Sequence, residues 1–244
     1  MTGPRLIAIA SGKGGVGKTW FSITLAHALA RSGRRVLLVD ADLGLANVDI
    51  QLGLTPAQDL GALLAGKVPL SDVVMRYTEG GFDILPGRSG SGALAGLSGA
   101  ALGPLVRMLR EASYSDILLD LAAGLEAPVR RLAAAADMLL VLATGEPTSL
   151  TDAYAVLKLY ASDRAGGNAR VIVNQAPTHA AGERTYQTLR RASLAFLGQA
   201  PEMAGIIRRD ERVPDAIRRQ TLLLTRHPTS LAADDIGQVC RSLG

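Results

Sequence analysis

Short hydrophobic runs alternate along the chain with stretches of helical periodicity. The runs are nearly continuous in apolar residues, which is typical of strands that are buried on both faces of a sheet. We expect seven strands, at Leu6–Ala10, Val36–Val39, Phe82–Leu85, Ile117–Leu119, Met138–Leu142, Arg170–Val173 and Ala204–Ile207. Because helical segments separate most of them, the pattern predicts an α/β fold with a mainly parallel, roughly seven-stranded sheet and helices on both faces.

The composition favours a single domain. A chain of 244 residues with 48% hydrophobic content can bury one large core. The single cysteine, Cys240, excludes an intramolecular disulfide and fits a reducing compartment. No signal-peptide pattern precedes the first strand, and no apolar stretch approaches the ~20 residues of a membrane span. We therefore expect one cytoplasmic domain over residues 1–244, with a mobile loop at Gly87–Gly103 that runs into a helix around Pro104–Ala112.

A glycine-rich motif follows the first strand and reads Gly12-Lys13-Gly14-Gly15-Val16-Gly17-Lys18-Thr19. Glycines let successive backbone N–H groups point at phosphate oxygens, and the helix that follows presents its positive end to the same anion. Lys18 is placed to neutralise the β- and γ-phosphates, and the Thr19 hydroxyl to ligate the bridging Mg²⁺. The motif predicts a nucleotide site for ATP or ADP with Mg²⁺, against the alternative of a plain glycine-rich turn.

Three aspartates follow strands near this loop. Asp40 and Asp42 come after the second strand, and Asp120 ends the fourth. Ligands of parallel sheets bind at the carboxyl ends of the strands, so these carboxylates should lie beside the phosphate loop. They can hold Mg²⁺ or position an attacking water, and phosphoryl transfer needs little beyond such positioning and charge stabilisation. A structural role, with Asp40 capping a turn, is the alternative.

The loop carries an additional lysine, Lys13, and in this feature the chain resembles the deviant Walker A group of MinD/ParA ATPases. The resemblance implies that Lys13 reaches across a nucleotide-sandwich homodimer to the partner's phosphates, and that Lys18 and Asp42 complete the catalytic set. It further implies that Asp120 ends a Walker B strand and orients the metal, with Asp40 in support. A solvated loop lysine is the alternative for Lys13.

Two segments, Gly44–Asp49 and Glu146–Ala155, resemble the flagellar regulator branch FlhG/FleN more than MinD or plasmid ParA. The similarity extends from Leu6 to Ser230. It implies an ATP-dependent switch with slow hydrolysis, which controls the number or placement of flagella together with a regulatory protein. Leu121 departs from the family pattern, because relatives usually carry a threonine at this position.

Three further residues are candidates for contact with the nucleotide. By resemblance, Asn174 at the end of the sixth strand reads the adenine edge, since one amide offers both a donor and an acceptor; an Asx-type turn is the alternative. Arg208 stands where the family usually has proline and an acidic residue, and it either stacks on the base or faces another ligand. Trp20 either borders the phosphates or the dimer face, or packs in the core.

Charge and amphipathicity suggest two more surfaces. Arginines concentrate among a few acidic residues near the C-terminus, at positions 208, 209, 212, 218, 219 and 226. ParA-type relatives hold DNA non-specifically with such residues, in a salt-sensitive manner, whereas the net charge of only +4 favours a solvated basic face. In the last helix an apolar stripe of Ile236, Val239, Cys240 and Leu243 should pack on the core, because Arg241 is its only cation. We therefore expect no membrane-targeting helix and no N-terminal activation segment, although peripheral attachment to the inner membrane face or the nucleoid stays open.

Three functional hypotheses follow. The first is an ATP-dependent dimerising switch with slow, partner-stimulated ATP hydrolysis and a flagellar role. The second is a ParA-like positioning ATPase that works on DNA. The third is an adaptor that binds ATP and dimerises without hydrolysing it.

Overall fold

An eight-stranded sheet forms the centre of the protein. The computed structural model describes residues 3–42, 44–87 and 99–244. Its strands are β1 (Arg5–Ala10), β2 (Val36–Ala41), β3 (Met75–Tyr77), β4 (Phe82–Leu85), β5 (Asp116–Leu121), β6 (Met138–Ala143), β7 (Ala169–Ala176) and β8 (Glu202–Arg208). They lie in the order β3-β4-β2-β5-β1-β6-β7-β8. All neighbours are parallel except β3 and β4, which pair antiparallel.

Helices connect the strands. They are α1 (Lys18–Arg31), α2 (Val48–Leu52), α3 (Leu60–Leu64), α4 (Leu70–Val73), α5 (Gly99–Glu111), α6 (Ala127–Ala135), α7 (Pro147–Asp163), α8 (His179–Leu197), α9 (Arg212–Arg218), α10 (Leu223–Arg226) and α11 (Leu231–Ser242). Parallel neighbours need crossover connections, and the longer helices supply them.

The sheet divides the hydrophobic core into two layers. Successive residues of a strand point to opposite faces, and in β1 Leu6 and Ala8 belong to one layer whereas Ile7 and Ile9 belong to the other. The first layer includes apolar residues of α5 to α8, and the second those of α1, α10 and α11. Helices therefore cover both faces, as the continuous apolar strands predict.

The predicted fold class is confirmed, with one additional strand. All seven predicted strands are present, whereas β3 was not predicted because it has only three residues, of which only Tyr77 is buried. The predicted helix near residue 104 is α5. Of the predicted loop at Gly87–Gly103, positions 88–98 lie outside the described residues. Its last five positions were predicted wrongly, because they belong to α5, which begins at Gly99. The stripe on α11 packs on the core as expected, because Ile236, Val239 and Leu243 are each at most 4% exposed.

Candidate nucleotide-binding site

The phosphate loop joins the central strand β1 to α1. Gly17 precedes the helix with a φ of +88°, no side chain caps the helix, and its first turn contains no acidic residue. The first N–H groups of a helix have no partner within the helix and attract anions. The N-terminus of α1 is therefore open to a phosphate.

Neighbouring elements hold this loop from one side only. A Cβ at Gly12 would overlap the backbone of Asp152 in α7, and one at Gly17 would lie 2.6 Å from Asn174 Nδ2. Apart from its immediate chain neighbours, no described residue has an atom within 4 Å of a Cβ placed at Gly14 or Gly15. The loop is thus fixed by α7 and β7 and leaves space above its two middle glycines, where phosphate oxygens can approach.

Lys18 and Asp120 form a buried ion pair at the floor of the loop. Their side chains are 8% and 1% exposed, and Lys18 Nζ lies 3.2 Å from Asp120 Oδ1. Ser22, one turn further along α1, donates its hydroxyl to the same oxygen at 2.9 Å. Asp120 Oδ2 is buried and has no hydrogen-bond partner among the described residues. An unsatisfied buried carboxylate oxygen is costly without a ligand, so it fits a hydrated Mg²⁺.

Asp40 lies beside Asp120 across the β2–β5 pair. Burial and, secondarily, the charge of Asp120 raise the pKa of Asp40 to about 7. Its carboxylate accepts N–H groups of Asp42, Asn47 and Val48 at 3.0–3.2 Å. These bonds anchor the start of α2, so the geometry favours the turn-capping role for Asp40 and leaves its metal role a prediction.

Asp42 is half-buried and lines the cavity above the phosphate loop. Its Oδ1 accepts the N–H groups of Gly44 and Leu45 at 3.3 and 3.0 Å. Among the described residues, its second oxygen accepts no hydrogen bond. This position agrees with the predicted role in hydrolysis without testing it.

Lys13 is paired within its own subunit. Its Nζ lies 2.8 Å from Glu146 Oε2 and 3.1 Å from Thr148 Oγ1, both at the N-terminal end of α7. The hydrogen bond and charge of Lys13 lower the pKa of Glu146. Lys13 is therefore not the freely solvated lysine of the alternative interpretation, and a role across a dimer requires it to leave Glu146.

Two adjoining cavities extend from the loop. One, of about 420 Å³, is lined by the phosphate loop together with Asp42, Asn47, Gln51 and Ala123. The other, of about 410 Å³, is lined by the end of β7, the end of β8 and α9. Trp20 and Ile217 line both. Their combined shape suits a phosphate chain in the first cavity and a base in the second.

Asn174 and Gln175 hold the phosphate loop through their amides. Asn174 Nδ2 donates to the Val16 carbonyl at 2.8 Å, and Gln175 Nε2 donates to that of Gly15 at 3.3 Å. One of the two N–H groups of the Asn174 amide is therefore used within the protein, and contact of its second N–H and its oxygen with adenine stays a prediction. Gln175 was not predicted; its φ of +57° turns two successive side chains toward the loop.

Trp20 belongs both to the core and to the cavities. It is 6% exposed, and its indole Nε1 is buried without a hydrogen-bond partner in the structure. Trp20 is thus packed in the core, as one alternative predicts, and it also lines both cavities. Its contact with a nucleotide stays a prediction.

Arg208 lines the second cavity, but its guanidinium is engaged by Asp235 of α11. Nε lies 2.9 Å from Asp235 Oδ2 and Nη2 2.8 Å from Oδ1. The side chain of Asp235 is fully buried, and His179 Nε2 lies 3.2 Å from the same carboxylate. If Arg208 stacks on a base, the flat face of its guanidinium has to contact the base while its N–H groups keep the ion pair with Asp235.

The other arginines of the predicted basic cluster divide into two groups. Arg219 and Arg226 pair with Asp215. In the described residues, the side chains of Arg209, Arg212 and Arg218 are exposed and form no ion pair. About half of the cluster is therefore already neutralised within the protein.

In the described ranges, no group of three or more His, Cys, Asp or Glu side chains could hold a metal ion. Within the same ranges, none of the helices has the length and apolar character that crossing a bilayer requires.

The chain resembles known proteins over nearly its whole length. Residues 7–223 match the model of the CobQ/CobB/MinD/ParA nucleotide binding domain. The antiactivator FleN of Pseudomonas aeruginosa is 40% identical over 94% of this chain and 82% of its own length. The flagellum site-determining protein YlxH of Helicobacter pylori is 31% identical over 96% of this chain and 80% of its own length.

Solved structures show the same architecture. The septum site-determining protein MinD of Pyrococcus horikoshii, in complex with Mg-ADP, superposes with a TM-score of 0.83 at 25% identity, over 98% of this chain and 96% of that one. MinD of Aquifex aeolicus superposes with a TM-score of 0.81 at 28% identity, over 98% and 96% of the two chains.

Proposed function

Because this chain belongs to the CobQ/CobB/MinD/ParA family of nucleotide-binding proteins, we propose that it is an ATP-dependent dimerising switch with slow ATP hydrolysis. Its biological role in this proposal is control of the number or placement of flagella. The observation that carries the proposal is the second loop lysine, Lys13, which stands outside the Lys18–Asp120 pair and beside an open cavity.

Within one subunit, the chain's own groups divide the work of nucleotide binding. Lys18 exchanges part of its contact with Asp120 for the β- and γ-phosphates, while the N–H groups at the start of α1 bind the same oxygens. Thr19 and Asp120 would hold Mg²⁺, which neutralises charge on the phosphates. Asp42 positions the attacking water. The base lies in the second cavity, where the Asn174 oxygen accepts from the adenine amino group.

Dimerisation depends on Lys13 in this scheme. In the structure its charge is compensated by Glu146, at 2.8 Å. A triphosphate of a second subunit offers more negative charge than one exposed carboxylate, and it therefore draws Lys13 away from Glu146. ADP lacks the γ-phosphate, so the ADP-bound form returns to the monomer.

The flagellar role rests on the relatives. FleN is named as an antiactivator and YlxH as a flagellum site-determining protein. A dimer formed only with ATP would present a composite surface to a regulatory protein, which either stimulates hydrolysis or is recruited. We place this activity in the cytoplasm, with peripheral attachment to the inner membrane face or the nucleoid as a further possibility.

Two observations keep the alternatives open to test. Arg209, Arg212 and Arg218 remain unpaired on the described surface, and they would serve a DNA-bound, ParA-like positioning ATPase. Leu121 is fully buried at the position beside Asp120 where relatives usually carry a threonine. The absence of the threonine hydroxyl would suit an adaptor that does not hydrolyse ATP.

Molecular mass in solution tests the proposal directly. Light scattering with Mg²⁺ and either ADP or ATP should give a monomer with ADP and a dimer with ATP, and Asp42→Ala should make the ATP dimer long-lived. An unchanged monomer with ATP would refute the switch. Salt-sensitive DNA binding by the ATP dimer would favour the ParA-like role, and absence of phosphate release with candidate regulators would favour the adaptor.

A further inference from the structure

Gln220, in the turn after α9, is one of only two non-glycine residues with positive φ in the described part of the chain. Its φ is +52°. A left-handed conformation costs a residue with a Cβ about 1 kcal/mol or more, so such a residue persists where other contacts hold it. The side-chain amide of Gln220 lies against the C-terminal end of α2, an element far away in sequence.

The amide of Gln220 caps the C-terminal end of α2. Its Nε2 donates to the Ile50 carbonyl at 2.9 Å, across 170 positions of sequence. The last carbonyls of a helix lack the usual partner within the helix. The Ile50 carbonyl accepts the Gly53 N–H at 3.3 Å, and the Gln220 amide supplies a second donor to it. The approach is close, because a Cβ at Gly53 would lie 2.9 Å from Gln220 Oε1.

The other end of α2 is anchored at the phosphate side. Asp40, beside Asp120, accepts the N–H groups of Asn47 and Val48 at the start of the helix. Asn47 and Gln51 line the phosphate cavity. A helix of five residues has little stability of its own, so these two anchors, together with the burial of Val48 and Leu52 in the core, fix its position.

Gln220 belongs to the segment that forms the base cavity. Val213, Pro214, Ile217 and Arg218 of α9 line that cavity, and Ile217 also lines the phosphate cavity. The Gln220 N–H bonds to the Ile217 carbonyl at 2.9 Å. Gln220 is therefore bonded both to the helix that lines the base cavity and to the end of α2.

We propose that Gln220 is a positioning residue that couples the base cavity to α2 and the Asp40–Asp42 segment. This inference rests on the proposed nucleotide site and deepens it. Through this link an adenine nucleotide orders α2 more than phosphate groups alone do, which favours nucleotides over inorganic polyphosphates in arranging the Asp42 segment.

Hydrogen exchange with mass spectrometry tests the link, with Mg²⁺ and either ADP or tripolyphosphate as the probe. In the wild-type protein, ADP should slow exchange in peptides covering α2 at least about threefold more than saturating tripolyphosphate does. Gln220→Glu replaces the donor with a carboxylate that repels the Ile50 carbonyl. It should abolish this base-dependent difference, while protection of the phosphate loop stays as in the wild type.

Two further variants separate the link from folding. Gln220→Gly removes the amide but suits the positive φ, so it should stay folded and lose the difference as Gln220→Glu does. Arg219→Gln changes the neighbouring exposed residue, whose side chain pairs with Asp215 of α9 rather than with the Ile50 carbonyl, and it should behave as the wild type. Retention of the ADP-specific protection in both Gln220 variants would overturn the inference, as would equal α2 protection by both probes in the wild type. Absence of any protection of the phosphate loop would refute the nucleotide site itself.

Discussion

Lys13 and Lys18 lie five residues apart in one loop but have different surroundings. Lys18 is 8% exposed and pairs with a buried aspartate, whereas Lys13 is 35% exposed and pairs with a glutamate that is 67% exposed. Removal of one member of a buried ion pair leaves the other member buried without a compensating charge. An exposed pair contributes little to folding, which leaves Lys13 available for contacts outside its own subunit.

We expect alanine at these two positions to separate nucleotide binding from dimerisation. Lys18→Ala removes a charge-assisted phosphate contact and should lower ADP affinity about 100-fold. Lys13→Ala should leave ADP affinity within about threefold, since in the monomer Nζ is bound to Glu146, yet abolish the ATP dimer. Calorimetric titration with ADP and light scattering with ATP measure the two effects. Glu146→Gln is the control for loss of the pair, and normal dimerisation of Lys13→Ala would disprove the sandwich assignment.

The residues that bind phosphate are predictable because their spacing is local. The glycines, Lys18 and Thr19 belong to one continuous motif, and Asp120 ends a recognisable apolar strand. Ser22 was missed, although its position one turn after Lys18 places it on the same helix face. The hydrogen bond from the Asn174 amide to the Val16 carbonyl spans 158 positions. No local sequence pattern reveals that a carbonyl so far away in sequence accepts from this amide.

Individual elements were predictable where burial is continuous and less so at their ends. Strand β7 runs to Ala176, two residues past Asn174. The extension follows a register shift against β8 between Val173 and Ala176, a tertiary feature that hydrophobicity does not encode. The short helix α2 was also beyond prediction, because its two anchors are side chains of other elements.

Helix α1 is buried on nearly all sides, with ten of its fourteen residues buried. His27 lies within it at 4% exposure, and its Nδ1 is buried without a hydrogen-bond partner in the structure. Burial and, secondarily, the charge of Arg31 lower the pKa of His27 to about 4. The histidine is therefore neutral in the folded protein at pH values where it is protonated in the unfolded chain.

This difference predicts a pH-dependent effect of His27→Leu. The unfolded state binds the proton near pH 6.5 and the folded state only near pH 4, so the contribution of neutral His27 to stability is lost as the pH falls through that window. The free energy of unfolding of the variant relative to the wild type should rise by about 2 kcal/mol between pH 7 and pH 5. Urea denaturation at both pH values measures it. His27→Gln should show the same pH dependence, and a constant difference between variant and wild type would contradict the buried neutral histidine.

The candidate nucleotide site and a second ion cluster lie at opposite ends of the parallel strands. The phosphate loop, Asp42 and Asp120 lie at the carboxyl ends of their strands, whereas Asp116 begins β5 at the other edge. The side chain of Asp116 is fully buried and pairs with Arg5 and Arg34. Both arginines also donate to backbone carbonyls at the end of the chain, in Leu243 and Gly244. The cluster therefore ties β1, β5 and the segment after α11 together.

Asp116→Asn should consequently lower stability without affecting the nucleotide site. The amide removes the negative charge between two arginines that are 25% and 30% exposed. Since these arginines reach water, we expect a loss of about 2–3 kcal/mol, below that of a fully buried unpaired charge. Urea denaturation measures the loss, and ADP affinity should stay within about twofold because the cluster lies at the other end of the sheet. Arg76→Gln, which removes a 66% exposed partner of Asp83, should change stability little. If Asp116→Asn reduced the free energy of ADP binding by more than it reduced the free energy of unfolding, the two ends of the sheet would be coupled through β5. Asp120, near the far end of β5, would then be the residue through which that coupling acts.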